Sequence, residues 1–232
     1  MADFLPLSTF GILLTLAAYL AGLWLYRRSS YSAVLQPVIT GATLVMLTLW
    51  LTDIPYQTYF ESASIIHTLL GTATVALAIP LYQHLQKIRE NWRPLLVTLL
   101  FSGIFAAATA VLFAWLLGAD EKLLLSLAPK SITTPFAIAV SDIIGGYPAL
   151  SAAFVIFTGM VAAVGANPIF RLFKITHPIA QGTSLGMIGH GIGTARAFEI
   201  SPQCGAFAAL SMGLMGVYTS LYLPWLLHLI TK

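Results

Sequence analysis

The chain has 232 residues, of which 58% are hydrophobic and 8% charged, with a net charge of +3 at neutral pH and a mean hydropathy of +0.88. A soluble domain carries roughly 25% charged residues, so a water-soluble globule is excluded, and no basic run interleaved with aromatics suggests a nucleic-acid binder. The single cysteine, Cys204, excludes an internal disulfide and a multi-thiolate metal centre.

A helix needs about 20 apolar residues to cross about 30 Å of hydrocarbon. In chain order, spans are expected at residues 5–26, 33–52, 63–88, 94–118, 148–166, 178–199 and 203–230. The first run has no basic residues before it and is too long for the apolar core of a cleaved signal, so it reads as a crossing. An eighth apolar segment, 123–144, is interrupted by "APKSITTP". Loops are short and no long polar linker appears, which predicts one transmembrane domain over 1–232. Positive charge in short loops marks the cytoplasmic side, placing Arg27, Arg28, Lys87, Arg89 and Arg93 inside and the loop around Asp120 and Glu121 outside. If 123–144 crossed fully, Arg171 and Lys174 would fall outside; if it enters and returns, they fall inside, with Lys232. The expected fold is therefore an all-α integral membrane protein with about seven transmembrane helices plus a re-entrant hairpin. Eight crossings is the alternative.

Two stretches match each other. "GTATVALAIP" (71–80) and "GTARAFEISP" (193–202) share Gly-Thr-Ala at one distance from a proline, and each follows a histidine, His67 and His190. In the seven-crossing topology they run antiparallel, dividing the chain into repeats 1–118 and 119–232. Inverted repeats with interrupted helices point to a transporter's midplane site. The match is short, and chance is its competitor.

Irregular backbone at membrane depth is tolerated only where protein or a wet cavity surrounds it. Breaks are expected at 69–80, which contains Thr72, at 128–135 and at 186–196. An interrupted helix exposes N–H groups at a half-helix start, where an anion is favoured. Gly182, Gly186, Gly189 and Gly193 equally suit close helix packing, and for the glycines alone packing is the stronger reading. With His190 and Arg196 added, a site is. A charge at the bilayer centre costs about 2.5–3.5 kcal/mol on insertion scales, so Arg196 needs a partner or water. Glu199 stands three residues on, on the same helical face, and neutralisation by it stands beside a role in gripping a substrate carboxylate through two parallel hydrogen bonds. Lys130 either snorkels or meets solute together with Ser131, Thr133 and Thr134. Asp142 either neutralises Lys130 or carries a proton. His67 and His190 titrate near neutral pH when unperturbed, though a lone membrane histidine is more often a hydrogen-bonding bridge. Gly193 and Thr194 complete the substrate-binding candidates, with Thr72 opposite them in the repeat. "GTSLG" (182–186) fits a nucleophile elbow without the required strand-turn-helix context, and "GHGIGT" has a misplaced third glycine for a dinucleotide loop. No paired carboxylates, metal-ligand cluster or Ser/His constellation is at helical spacing, so neither an enzyme, a cofactor nor a metal is expected.

"GTATVALAIPLY", "LAPKSITTPFAIAVSDIIGGYPALSAAFVIFTGM" and "GMIGHGIGTARAFE" together resemble the LrgB/CidB family of bacterial membrane proteins, and the chain is similar to its YohK-type members from about the second span to the end. The pairing of APKS-x-TTP with HGIGTARA is specific. Thr72 and Thr183 stand where the family has proline or glycine variants. The resemblance implies a bacterial inner-membrane, multi-pass protein and a fold related to inverted-repeat secondary carriers. It also implies a small LrgA/CidA-type membrane protein as partner. The family was described as holin- or antiholin-like modulators of murein hydrolase activity and lysis; plastid relatives export glycolate and glycerate, and bacterial relatives are implicated in pyruvate uptake. The family motif falls here on Lys130, Ser131, Thr133, Thr134, His190, Gly193, Thr194 and Arg196. Two functions follow as expectations. The first is a secondary carrier of small monocarboxylates such as pyruvate, lactate or glycolate, coupled to protons through Asp142, His190 or His67. The alternative is an antiholin-like protein that modulates murein hydrolase activity through assembly, its glycine rows suiting a homodimer within the membrane lipid.

Overall fold

The structure, a computed structural model, describes residues 7–29, 32, 35–76 and 78–230, with side chains described throughout except at 7, 8, 67, 70–74, 80 and 228–230. Every regular element among the described residues is a helix. Contacts divide the chain into two compact units, Met1–Ala78 and Ile79–Lys232.

In the first unit, α1 (Leu7–Arg28), α2 (Pro37–Leu51), α3 (Tyr56–Ser62) and α4 (Ser64–Ala76) follow one another. α1 meets its neighbours where it has no side chain: Gly11 lies on the Tyr59–Ala63 backbone of α3, and Gly22 lies on Pro37 and Thr40 of α2. The hydroxyls of Thr15 and Tyr59 share a hydrogen bond of 2.8 Å. At 15 residues, α2 is about 22 Å long, short of the hydrocarbon thickness. α4 runs as helix through Gly71, so the expected break over 69–80 does not open at that glycine; Leu77, next in the chain, lies outside the described residues.

The next helices are α5 (Ala78–Gln83) and α6 (Leu85–Glu90), and the non-helical His84 between them interrupts the run expected as one span over 63–88. Next come α7 (Trp92–Leu116), α8 (Glu121–Leu127), α9 (Thr134–Ile144), α10 (Pro148–Leu172), α11 (Pro178–Ile200) and α12 (Pro202–Ile230). Four helices among the described residues are long and apolar enough to cross a membrane: α1, α7, α10 and α12. They match the runs expected at 5–26, 94–118, 148–166 and 203–230.

Two segments between the long helices of the second unit reverse direction. The first is α8–turn–α9. Pro129 falls in the turn and Pro135 in the first turn of α9, where a missing N–H does no harm. The last turn of α8 lies against the start of α10. The Tyr147 N–H donates to Ser126 Oγ at 2.7 Å, the Ser151 hydroxyl donates to the Ser126 carbonyl at 2.7 Å, and the Lys122 ammonium lies 5.4 Å over the Tyr147 ring. Gly145, at φ +85, turns the chain out of α9.

The second reversal corrects the expected crossing over 178–199. As one straight rod, residues 181 and 200 would be about 28 Å apart at 1.5 Å per residue. Instead Gln181 and Ile200 line one cleft, and Gly182 touches the backbone of Cys204. The helix reverses at His190, whose φ of 39° and ψ of −123° are not helical. Its first arm runs parallel to α12, Gly182 on Cys204 and Gly186 on Ala208. Its second arm runs antiparallel, with Phe198 on Gly205 and Thr194 on Met212. Gly193 lies on the Leu185 carbonyl, bringing the two arms into backbone contact. Leu185, Ala197, Cys204 and Ala208 then share one buried cluster with Ala166 and Phe170 of α10. Small residues at each crossing make this possible; dispersion and close approach, rather than water exclusion, hold helices together in lipid.

Candidate functional site

Both reversals end against α10. Ile132, from the turn between α8 and α9, is 1% exposed and shares a buried cluster with Val155 of α10 and Met187 of α11. His190, the turn of the second reversal, lies on Gly159, whose added Cβ would come 2.7 Å from its ring. Val155 and Gly159 stand about 10 and 16 Å along a helix of about 37 Å. The two turns therefore lie against the first half of α10, between about a quarter and a half of its length, one having come from each end.

Lys130 and Ser131 occupy the first turn. The ammonium donates to Ser131 Oγ at 3.2 Å, and Ser131 is buried. Thr133, in extended backbone, is the N-cap of α9, and its side chain makes no cap hydrogen bond; Thr134 opens the helix. The N–H groups of an initial helical turn have no intrahelical acceptor, so α9 presents its positive end at this depth. The second arm of α11 begins at the same depth with Gly191. Each reversal also brings the carbonyl end of its incoming arm, and the dipole ends largely offset one another. Net positive charge at these turns comes from Lys130.

His190 is 4% exposed. Its imidazole lies against Gly159 of α10, and its Nε2 finds no hydrogen-bond partner among the described residues. A buried polar atom left without a partner costs about 1–3 kcal/mol. An incoming solute with a polar hydrogen or oxygen would relieve that cost. The Thr183 hydroxyl, on the first arm, is buried and similarly unpartnered among the described residues.

The remaining expected site residues separate. Arg196 is buried, on the second arm, and its guanidinium pairs with Glu199. It sits about 9 Å along that arm from His190. Neutralisation within the arm is thus present, and Arg196 does not stand at either turn. Asp142 is exposed, about 12 Å along α9 from Thr134, too far out to neutralise Lys130. Thr194 turns its hydroxyl to the Met212 sulfur at 3.7 Å, and Gly193 serves contact between the arms. His67 and Thr72 lie on α4, and their side chains are outside the described residues. Val155 and Gly159 form the floor beneath both turns, and their residue types alone do not announce such a role. Only a lone glycine in "FTGM" marked the place.

Comparison with known proteins agrees with this motif content. A family model described as the LrgB-like family matches residues 15–229. The chain is similar to two proteins of Bacillus subtilis (strain 168) that bear the names YwbG and YxaC. It is 35% identical to each, over 93% of this chain and 96% of YwbG, and over 94% and 96% for YxaC. It is also 29% identical to an antiholin-like protein LrgB of Bacillus cereus (strain B4264), over 93% of this chain and 94% of that protein. No solved structure matches it.

Proposed function

The chain belongs to the LrgB-like family of membrane proteins, and from that premise we propose that it is a secondary carrier of small monocarboxylates in the bacterial inner membrane. What supports the reading is one observation: two reversed segments of opposite origin turn against α10, one carrying Lys130 and the other His190, whose buried Nε2 is unpartnered among the described residues. With α7, α10 and α12 as crossings, both segments are re-entrant and their turns lie within the bilayer. A cation there costs several kcal/mol unless an anion or water accompanies it. A small carboxylate at Lys130, its other polar atoms near His190 and Thr133, meets that need, and a single cation binds weakly enough to release. Arg196 acts in this scheme as the partner of Glu199 that keeps the second arm neutral. The test is uptake of labelled pyruvate, lactate and glycolate by proteoliposomes. Lys130→Met is expected to abolish saturable uptake while the protein still inserts, and Arg196→Ala to lower the amount of folded protein. Saturable uptake unchanged in Lys130→Met would remove the carrier reading.

A second reading is favoured by the printed names of relatives. Several, at 29% identity, are called antiholin-like, and these names back an antiholin-like role more directly than they back transport. In that reading the protein modulates murein hydrolase activity by assembly, together with a small LrgA/CidA-type membrane protein. Substrate-independent leakage that rises with oligomer formation would favour it; competition of uptake by unlabelled carboxylate would favour the carrier.

A further inference from the structure

At the foot of the second reversal, away from both turns, an open cleft of about 400 Å³ lies between the end of α10 and the two ends of α11. Arg171 and Lys174 bring two cations to it, Thr176 and Gln181 bring hydrogen-bonding groups, and Phe170 and Ile200 bring apolar wall. Among the described residues no carboxylate lines it, and Glu199, the acid next to it in sequence, is engaged by Arg196. Lys174 has φ +54, a conformation uncommon outside glycine. The turn is built firmly around it: the Ile175 N–H donates to the Phe170 carbonyl at 2.8 Å, and the Gln181 amide donates to the Ile175 carbonyl at 2.8 Å. Glycine is the usual residue at such a helix end. A lysine held there at the cost of backbone strain points to use of its side chain. Beside the cleft the surface is apolar, with Leu172 76% and Phe173 69% exposed.

We propose that this cleft binds the headgroup of an anionic phospholipid, its phosphate between Arg171 and Lys174 and its acyl chains along Leu172 and Phe173. Basic pockets between membrane helices on the cytoplasmic side suit such headgroups, and the positive loop charge puts this end of α10 on that side. A soluble anion would engage the two cations and leave the apolar flank unused. The bound lipid joins the end of α10 to both ends of α11, so it holds the reversal closed at its foot. The site is separate from the two turns and stands whichever function the protein has.

The experiment is thermal unfolding of the protein in phosphatidylcholine vesicles, alone and mixed with phosphatidylglycerol. A ligand that binds only the folded state raises the unfolding midpoint in a saturable way, and that rise is expected with phosphatidylglycerol. Arg171→Gln and Lys174→Gly are expected to lose the rise. Lys174→Gly relieves the positive φ, so its midpoint in phosphatidylcholine alone stays at or above that of the original protein, and its lost response is not misfolding. An equal rise in both variants would overturn the proposal as general surface charge. Inorganic phosphate reproducing the rise in phosphatidylcholine alone would overturn the lipid assignment in favour of a soluble anion.

Discussion

Replacing Gly186 by alanine would drive a methyl group into the carbonyl oxygen of Ala208, and Gly182 stands in the same relation to Cys204. The obstacle in both cases is backbone, which cannot rotate aside as a side chain can. Overpacking of this kind costs about 1–3 kcal/mol. Gly182→Ala and Gly186→Ala are thus expected to lower the unfolding midpoint of the purified protein. Gly213, inside α12 with nothing within 4 Å of an added Cβ, is the control; its alanine variant should unfold at the same temperature or slightly higher, since alanine exceeds glycine as a helix former by up to about 1 kcal/mol. A fall at Gly213 matching that at Gly186 would mean that the seam with α12 is not what the glycines serve. His190 differs from all of these because its backbone, not its neighbour, is the constraint. Glycine adopts positive φ freely, so His190→Gly is expected to keep the reversal and fold, while losing any response to solute at the turn. Thermal shift with and without a carboxylate panel measures both at once.

A helix that bends and a helix that reverses carry the same signals in sequence. The glycines of 182–193 marked an interruption, and the interruption is there, but nothing in "GMIGHGIGTARAFE" states an angle. The angle is set by partners: Gly182 and Gly186 reach α12 only if the chain doubles back, and α12 follows in sequence. The turn at 128–135 was more legible, because two prolines and a run of hydroxyls interrupt a helix, although a full crossing of 123–144 stayed open beside it. Arg196 pairs with Glu199, one of the two roles its place in the sequence left open. Asp142 was linked to Lys130 by chain proximity alone, and α9 carries it away. Val155 and Gly159 could not be ranked above other small or branched residues of α10, because their role exists only once two distant turns arrive there. The reversal can be checked directly. In a Cys204→Ser background, cysteines at Gln181 and Ile200 are expected to be joined by a short bifunctional reagent, the two residues lining one cleft. A straight α11 would hold them about 28 Å apart, and no cross-link would form.

Over the second unit, the sidedness of every loop depends on whether α11 crosses. With the reversal, Lys87, Arg171, Lys174 and Gln203 lie at one face and Asp120 and Tyr147 at the other. The hydrogen bond of 3.0 Å from Lys87 to Gln203 fits that arrangement, whereas a crossing α11 would put Gln203 at the face of Asp120. Single cysteines at Asp120 and Tyr147 should react with a membrane-impermeant maleimide from one side, and those at Lys174 and Gln203 from the other. Labelling of Gln203 from the side of Asp120 would restore the crossing.

The arms that meet at His190 have a consequence for how the protein is made. Twelve and ten residues long, they are about 18 and 15 Å, and neither spans a bilayer. The insertion machinery therefore has no reason to release this stretch into lipid as it emerges. It has to wait at the surface until α12 is synthesised and offers the Cys204–Ala208 seam, so lesions in that seam should register in cells as rapid degradation of newly made chains rather than as a stable but inactive protein.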